Sequence, residues 1–187
     1  SAKSCYYVAG YTGSGGTLKV FDTWNDGANG EAAVTYVKNS AFINHTEIVK
    51  VILPASVKRL EGSVFQGCSN LEYISMVGVE ELTLENLSNS GIYGNDVYST
   101  NNFLNCGNLK VVIVGKKFKI TNNHFIRTDD SLTAGLADIY MSGAEGECEF
   151  VYDPANRNEH LSGNVYYYSE TSAANSWRYV DGIATKW

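Results

Sequence analysis

One phrase is written four times along this chain with variations, and a chain that repeats itself at a short period buries its core by stacking the copies. The copies are AFINHTEIVKVIL (41–53), VFQGCSNLEYISM (64–76), NFLNCGNLKVVIV (102–114) and HFIRTDDSLTAGLADIYM (124–141). In the first three, apolar residues follow the Phe at fixed intervals: Ile48, Val51 and Leu53 after Phe42; Leu71, Ile74 and Met76 after Phe65; Leu109, Val112 and Val114 after Phe103. The fourth keeps the order, with Leu136, Ile139 and Met141 after Phe125, once five extra residues are looped out. The Phe-to-Phe spacings of 23, 38 and 22 residues set a period near 22 to 23 and place an insertion at residues 83–101.

Within a copy two local patterns meet. Tyr73-Ile74-Ser75-Met76 alternates, with Ile74 and Met76 on one face, as a short half-buried strand requires. Phe65, Cys68 and Leu71 recur every third residue, which is the spacing of a helical or 3₁₀ turn. A further apolar anchor sits five residues before the Phe, as Val37, Leu60 and Ile120. No single copy can bury these residues alone, but stacked copies form continuous ladders of Phe, Leu and Ile/Val/Met. The expected fold is therefore an α/β solenoid, strand-rich with short helical or 3₁₀ turns: repeats at 34–141, an N-terminal cap at 1–33 and a C-terminal cap at 142–187. Both end segments lack the repeat and are rich in aromatics, Phe21 and Trp24 in one, Trp177 and Trp187 in the other.

Phrases such as ILPASVKRLEGSVFQGCSNLEYISM resemble the BspA-like leucine-rich repeats. Leu53-Pro54, Ser56-Val57, Leu60, Phe65, Gly67-Cys68, Leu71 and Ile74 fall in register with that family's unit; Asn105-Cys106 and Leu109 repeat the match one copy later, and Ala41-Phe42 one copy earlier. The closing VYYYSE (165–170) and WRYVDGIATKW are similar to a terminal segment of many such proteins. Val64 and Asn102 stand where the family favours Ala, and His124 and the Thr-Asp-Asp insertion also depart from it. The resemblance, over residues 17–187, implies a right-handed β/α superhelix, export to a cell surface, and an adhesive or binding role toward a protein or glycan. An alternative is a non-catalytic structural or recognition domain of a larger surface enzyme.

Composition narrows the partners. A net charge of -6 without a run of Lys or Arg lacks the electrostatic term that nucleic-acid binding needs, and no apolar run approaches the roughly 18 residues of a membrane-spanning helix. Only 18% of residues are charged, while Gly, Asn, Ser and Tyr abound, which suits a turn-rich extracellular protein. Beginning at Ser1 rather than Met, the chain is compatible with removal of an export signal.

Catalytic and metal-ligand signatures are not found. His45, His124 and His160 fall in separate segments, no CxxC pair accompanies Cys5, Cys68, Cys106 and Cys148, and Gly13-Ser14-Gly15-Gly16 lacks the Lys of a phosphate cradle. No catalytic residue, metal or cofactor is assigned. Asp22, Asp26, Asn29 and Glu31 gather oxygens in one loop; calcium is conceivable there, although the spacing fits no EF-hand and turn formation accounts for the same residues. Asp129 and Asp130 read as a loop tip, and Asn44-His45-Thr46 and Asn86-Leu87-Ser88 are glycosylation sequons only in a eukaryotic source. Cys68 and Cys106 occupy the same repeat position and read as buried free thiols, with a bridge between adjacent copies geometrically conceivable.

The outward side of the strands is the most informative surface. Successive copies place Ile52, Ser75, Ile113 and Tyr140 in one column and Lys50, Tyr73, Val111 and Asp138 in its neighbour. A solvated face is expected to be polar, yet five of these eight are apolar or aromatic. Tyr73, Val111, Ile113 and Tyr140 form one candidate ligand-binding patch, unless an end segment, the insertion or a neighbouring domain covers them. Tyr93 and Tyr98, set among Ser, Gly and Asn in the insertion, form the second.

Overall fold

The computed structural model describes residues 5–82, 101–120, 137–152 and 161–187. Residues 83–100 of the insertion, with Tyr93, Tyr98 and Asn86, as well as His124, Phe125, Asp129, Asp130, Leu136 and His160, lie outside the described residues.

Fifteen strands occur among the described residues, in chain order β1 (Tyr6–Val8), β2 (Thr17–Lys19), β3 (Thr23–Asn25), β4 (Glu31–Val37), β5 (Lys50–Leu53), β6 (Arg59–Leu60), β7 (Tyr73–Met76), β8 (Glu81–Leu82), β9 (Val111–Val114), β10 (Lys117–Ile120), β11 (Ala137–Met141), β12 (Glu149–Tyr152), β13 (Leu161–Tyr168), β14 (Ser176–Val180) and β15 (Ile183–Lys186). An eight-stranded sheet runs β2-β5-β7-β9-β11-β13-β14-β15, parallel from β2 to β14 and closed by the antiparallel β14–β15 hairpin. A second strip of strands accompanies it: β4 pairs in parallel with β1 and β6, and β10 pairs in parallel with β8 and β12. The apolar anchors read ahead of the Phe residues are thus strand residues, with Val37, Leu60 and Ile120 buried on β4, β6 and β10; Leu82, buried on β8, belongs to the same strip and was not read. Parallel pairing runs on beyond both ends of the motif, through β2 on one side and β13 on the other.

The core lies between the strips and the Phe turns. Val51, Ile74, Val112 and Ile139 stand in register across β5, β7, β9 and β11, and so do Leu53, Met76, Val114 and Met141, all fully buried. Phe42 stacks on Phe65 at 5.3 Å and Phe65 on Phe103 at 5.5 Å between ring centroids, each pair nearly parallel. Parallel rings of this kind contribute more than the apolar area they hide.

The expected helical component is not found. Among the described residues there is no α-helix, and the one 3₁₀ turn is Glu145–Glu147, outside the Phe segments. The Phe segments are chains of tight turns: His45 N–H donates to Phe42 O, Cys68 N–H to Phe65 O and Cys106 N–H to Phe103 O at 3.1 to 3.3 Å. The cause is the residue two places after each Phe. Asn44, Gly67 and Asn105 have φ of 60°, 76° and 59°, a left-handed conformation that stops a helix within its first turn. Gly67 is required twice over, since a Cβ there would lie 2.1 Å from Asn44 Oδ1 of the preceding copy.

Copies are also joined at the turns. Phe42 N–H donates to Val64 O and Phe65 N–H to Asn102 O, at 3.0 and 2.9 Å. The side chains at the next positions bond backward: Cys68 Sγ to Phe42 O at 2.9 Å, Cys106 Sγ to Phe65 O at 3.0 Å, Asn70 Nδ2 to Thr46 O and Asn108 Nδ2 to Ser69 O, both at 2.9 Å. The departure at Asn102 has its reason here, because its buried Oδ1 accepts from Val64 N–H at 3.0 Å. Cys68 and Cys106 are free, buried thiols. Burial pushes the Cys68 thiol up to about 12 and that of Cys106 well above its ordinary range. Since the thiolate is the reactive form, both should resist a disulfide reagent at pH 8 in the native protein and react once it is unfolded. Rapid titration of both in the native state would contradict the burial.

Candidate binding face

The two outward columns read from the sequence form as expected. Lys19, Ile52, Ser75, Ile113, Tyr140 and Tyr166 stand side by side across β2 to β13, and Thr17, Lys50, Tyr73, Val111 and Asp138 form the neighbouring column. Their environments differ sharply along the sheet.

From β9 to β13 the face is covered. Asp181 and Gly182 both have positive φ, 51° and 76°, which makes a two-residue turn whose twist suits a hairpin. That turn pairs Val180 with Ile183 and folds β14 and β15 back across the outward side. Trp177, itself fully buried, meets Tyr140 edge-on at 5.5 Å and Tyr168 at 5.3 Å, and its Nε1–H donates to Met141 O at 2.8 Å. Ile113 is 0% and Tyr140 4% exposed; they form with Trp177 an apolar cluster separate from the main core. The reading of Ile113 and Tyr140 as contact surface is therefore corrected: they point away from the main core, but the terminal segment supplies the indole that buries them. Val111 packs half-buried against the same cluster.

Polar bonds fasten the hairpin. Lys186 Nζ donates to Asp138 Oδ2 at 2.6 Å and to Tyr166 Oη at 2.9 Å, and lies 4.1 Å from the Tyr166 ring centroid. Asp138 Oδ1 also accepts from Ser162 Oγ and, at 3.2 Å, from Asn164 Nδ2. Burial alone would raise the Asp138 carboxyl, but the bonds from Lys186, Ser162 and Asn164 outweigh it and hold the group below its usual range. A lowered carboxyl stabilises the fold above the ordinary Asp range and loses that contribution as pH falls through it, so the fastening weakens in acid.

Tyr73 marks the limit of the covered region. Partial burial, with Tyr179 of β14 beside it, raises the pKa of its hydroxyl, so the ring is neutral at ordinary pH. Lys50 Nζ lies 4.5 Å from the Tyr73 ring centroid. Beyond Tyr73 the face is open: Lys50 and Ile52 are half-buried, Thr17 and Lys19 exposed. Lys50 and Ile52 were read as outward residues but not as part of the candidate patch, and neither Lys19 nor the Tyr73–Tyr179 contact was read from the repeat. The alternation Trp177-Arg178-Tyr179 ahead of Asp181-Gly182 is the local signal that a hairpin presents its aromatics on one face.

The other suspected sites resolve into structure. Both Asp26 oxygens are occupied within the β3–β4 turn, Oδ1 by Ala28 N–H and Asn29 N–H at 3.0 and 2.8 Å and Oδ2 by Asn29 Nδ2 at 2.7 Å. The bonds from Asn29 hold its carboxyl far below the usual range. Among the described residues no group of three His, Cys, Asp or Glu side chains is placed to hold a metal. His45 bonds Glu47 at 2.6 Å under the edge of Tyr11, at the repeat position that Cys68 and Cys106 fill. Among the described residues no helix is long and apolar enough to cross a membrane.

The family model described as "BspA type Leucine rich repeat region (6 copies)" matches residues 29–133, more than half of the chain. The chain belongs to the BspA-type leucine-rich repeat family. A search of curated proteins finds no match to this BspA-type chain. A crystal structure of a leucine-rich repeat protein from Bacteroides ovatus ATCC 8483 is similar, at 16% identity and a TM-score of 0.49, over 81% of this chain. The BspA-type chain spans about a third (32%) of the length of that solved chain.

Proposed function

We propose that this chain is a non-catalytic recognition module, secreted or displayed on a cell surface, that binds an extracellular protein or glycan through the open part of its outward face. The two strips of parallel strands and the Phe turns between them are the rungs of a short solenoid, and the β14–β15 hairpin and the segment before β4 serve as its caps. The observation that carries the reading is the division of one continuous face into a covered half and an open half. Repeat-to-repeat pairing fixes Lys50, Ile52 and Tyr73 on adjacent strands, so a partner meets a preformed surface and little ordering cost opposes association. Tyr73 offers a rigid amphipathic ring at low rotamer cost, and the cation beside it adds charge selectivity.

An array of matrix proteins and glycans identifies the partner. Against that partner, Tyr73→Ser and Lys50→Glu are each expected to weaken binding about tenfold, or about 1.4 kcal/mol. Lys119→Glu, on β10 of the other strip, should leave it unchanged. Equal loss for all three, or none for the first two, would overturn the proposed face.

A further inference from the structure

The open half ends at β2, and the chemistry of that edge narrows the partner; the argument rests on the outward face being the recognition surface. In the β2–β5 pair, Gly16 O accepts from Lys50 N–H at 2.8 Å and Val20 N–H donates to Ile52 O at 3.0 Å. Along a parallel strand, successive residues turn their N–H and C=O to alternate sides. Leu18 therefore serves β5, while Thr17 and Lys19 hold their amides and carbonyls toward the far side. Among the described residues no strand pairs there, so β2 is the outer edge of the eight-stranded sheet. A further strand about 4.8 Å away would meet these main-chain groups. Its side chains would alternate between the outward column beside Lys19 and the core margin beside buried Leu18 and half-buried Val20.

Charge selects the sequence of such a strand. Lys110, Lys116, Lys119 and Lys186 each have a carboxylate partner, at 3.6, 2.7, 2.8 and 2.6 Å. Lys19 and Lys50, the two cations on the open face, have none among the described residues, in a chain whose net charge is -6. The outward side chains of β2 and β5 are Thr17, Lys19, Lys50 and Ile52, without a carboxylate. Lys50 lies on the strand next to Lys19, about one strand spacing inward, within the Debye length of a charge docked at the edge.

We propose that β2 accepts an extended polypeptide segment of the partner as a ninth strand, with acidic residues outward on Lys19 and apolar residues inward on Leu18. Opposite charges directly across a strand pair favour the register, and main-chain bonds at Thr17 and Lys19 supply the sequence-independent part. A saccharide can satisfy the charge but not the strand edge, which is why the edge favours a polypeptide.

The test uses acetyl-(Glu-Val)3-amide, its (Lys-Val)3 counterpart and oligogalacturonate as probes of the whole chain by titration calorimetry at low salt. The acidic peptide should bind at least about tenfold more tightly than the basic one, and Lys19→Glu should remove about that preference. Thr17→Pro deletes an edge N–H that bonds nothing among the described residues and keeps both lysines, and it too should weaken the acidic peptide by about tenfold. If that variant fails to fold, methylation of alternate peptide amides makes the same test from the ligand's side, with the same loss expected. Equal binding of both peptides, binding indifferent to Thr17→Pro and to amide methylation, equal uptake of oligogalacturonate, or occupation of the edge by a second copy of the chain in sedimentation would each overturn strand addition. An array partner that responds to Tyr73→Ser but not to Thr17→Pro would leave the face reading standing and remove this one.

Discussion

Phe65→Ala is expected to destabilise the protein by about 3 to 5 kcal/mol, the usual cost of truncating a buried aromatic ring. For a chain of this size that lowers the melting temperature by roughly 6 to 20 °C. The reason is its position: Phe65 is fully buried and stacks on Phe42 and Phe103 at once, so its removal leaves a cavity in the middle of the ladder and breaks both ring contacts. Stacked repeats gain stability from interfaces between neighbours, and the loss of two interfaces together cannot be confined to one unit. Thermal and urea denaturation measure it. A melting temperature unchanged within a degree or two would show that the ladder is not what holds the copies together.

Trp177→Ala should act on a different part of the molecule with a comparable cost, about 3 to 5 kcal/mol. It removes the indole that covers Ile113 and Tyr140 and the bond from Nε1–H to Met141 O. Because this cluster is separate from the main core, the loss is expected to release the hairpin before the repeats unfold. Hydrogen exchange should then show amides of 176–186 losing protection while those of β5, β7 and β9 keep theirs. Uniform loss across all strands would mean that hairpin and repeats form one cooperative unit.

What the sequence disclosed and what it hid follow from how many residues carry each signal. The columns Ile52-Ser75-Ile113-Tyr140 and Lys50-Tyr73-Val111-Asp138 were legible because each strand shows its alternation at a fixed distance from its own Phe, and the sheet keeps that register. The second strip was only glimpsed. Arg59–Leu60 and Glu81–Leu82 are two residues long, too short to display a period of two, so Leu60 passes for an isolated anchor and Leu82 goes unread. Helical turns were expected from the third-residue spacing of Phe65, Cys68 and Leu71, which tight turns broken at Gly67 satisfy equally. The covering of Tyr140 by Trp177 joins residues 37 positions apart, and no local pattern encodes where a hairpin docks. Asp181-Gly182 carries a local hairpin signal that the reading of this segment as a cap did not use, and nothing in it tells where the hairpin lands.

One outward face has a half closed by the hairpin and an open half proposed to meet a partner. Hydrogen-exchange footprinting of the complex with the array-identified partner tests it most directly. The account predicts new protection at β2, β5 and the start of β7, with β10 and β12 of the other strip unchanged. Protection confined to β10 and β12, with β2 and β5 exchanging as in the free protein, would contradict it.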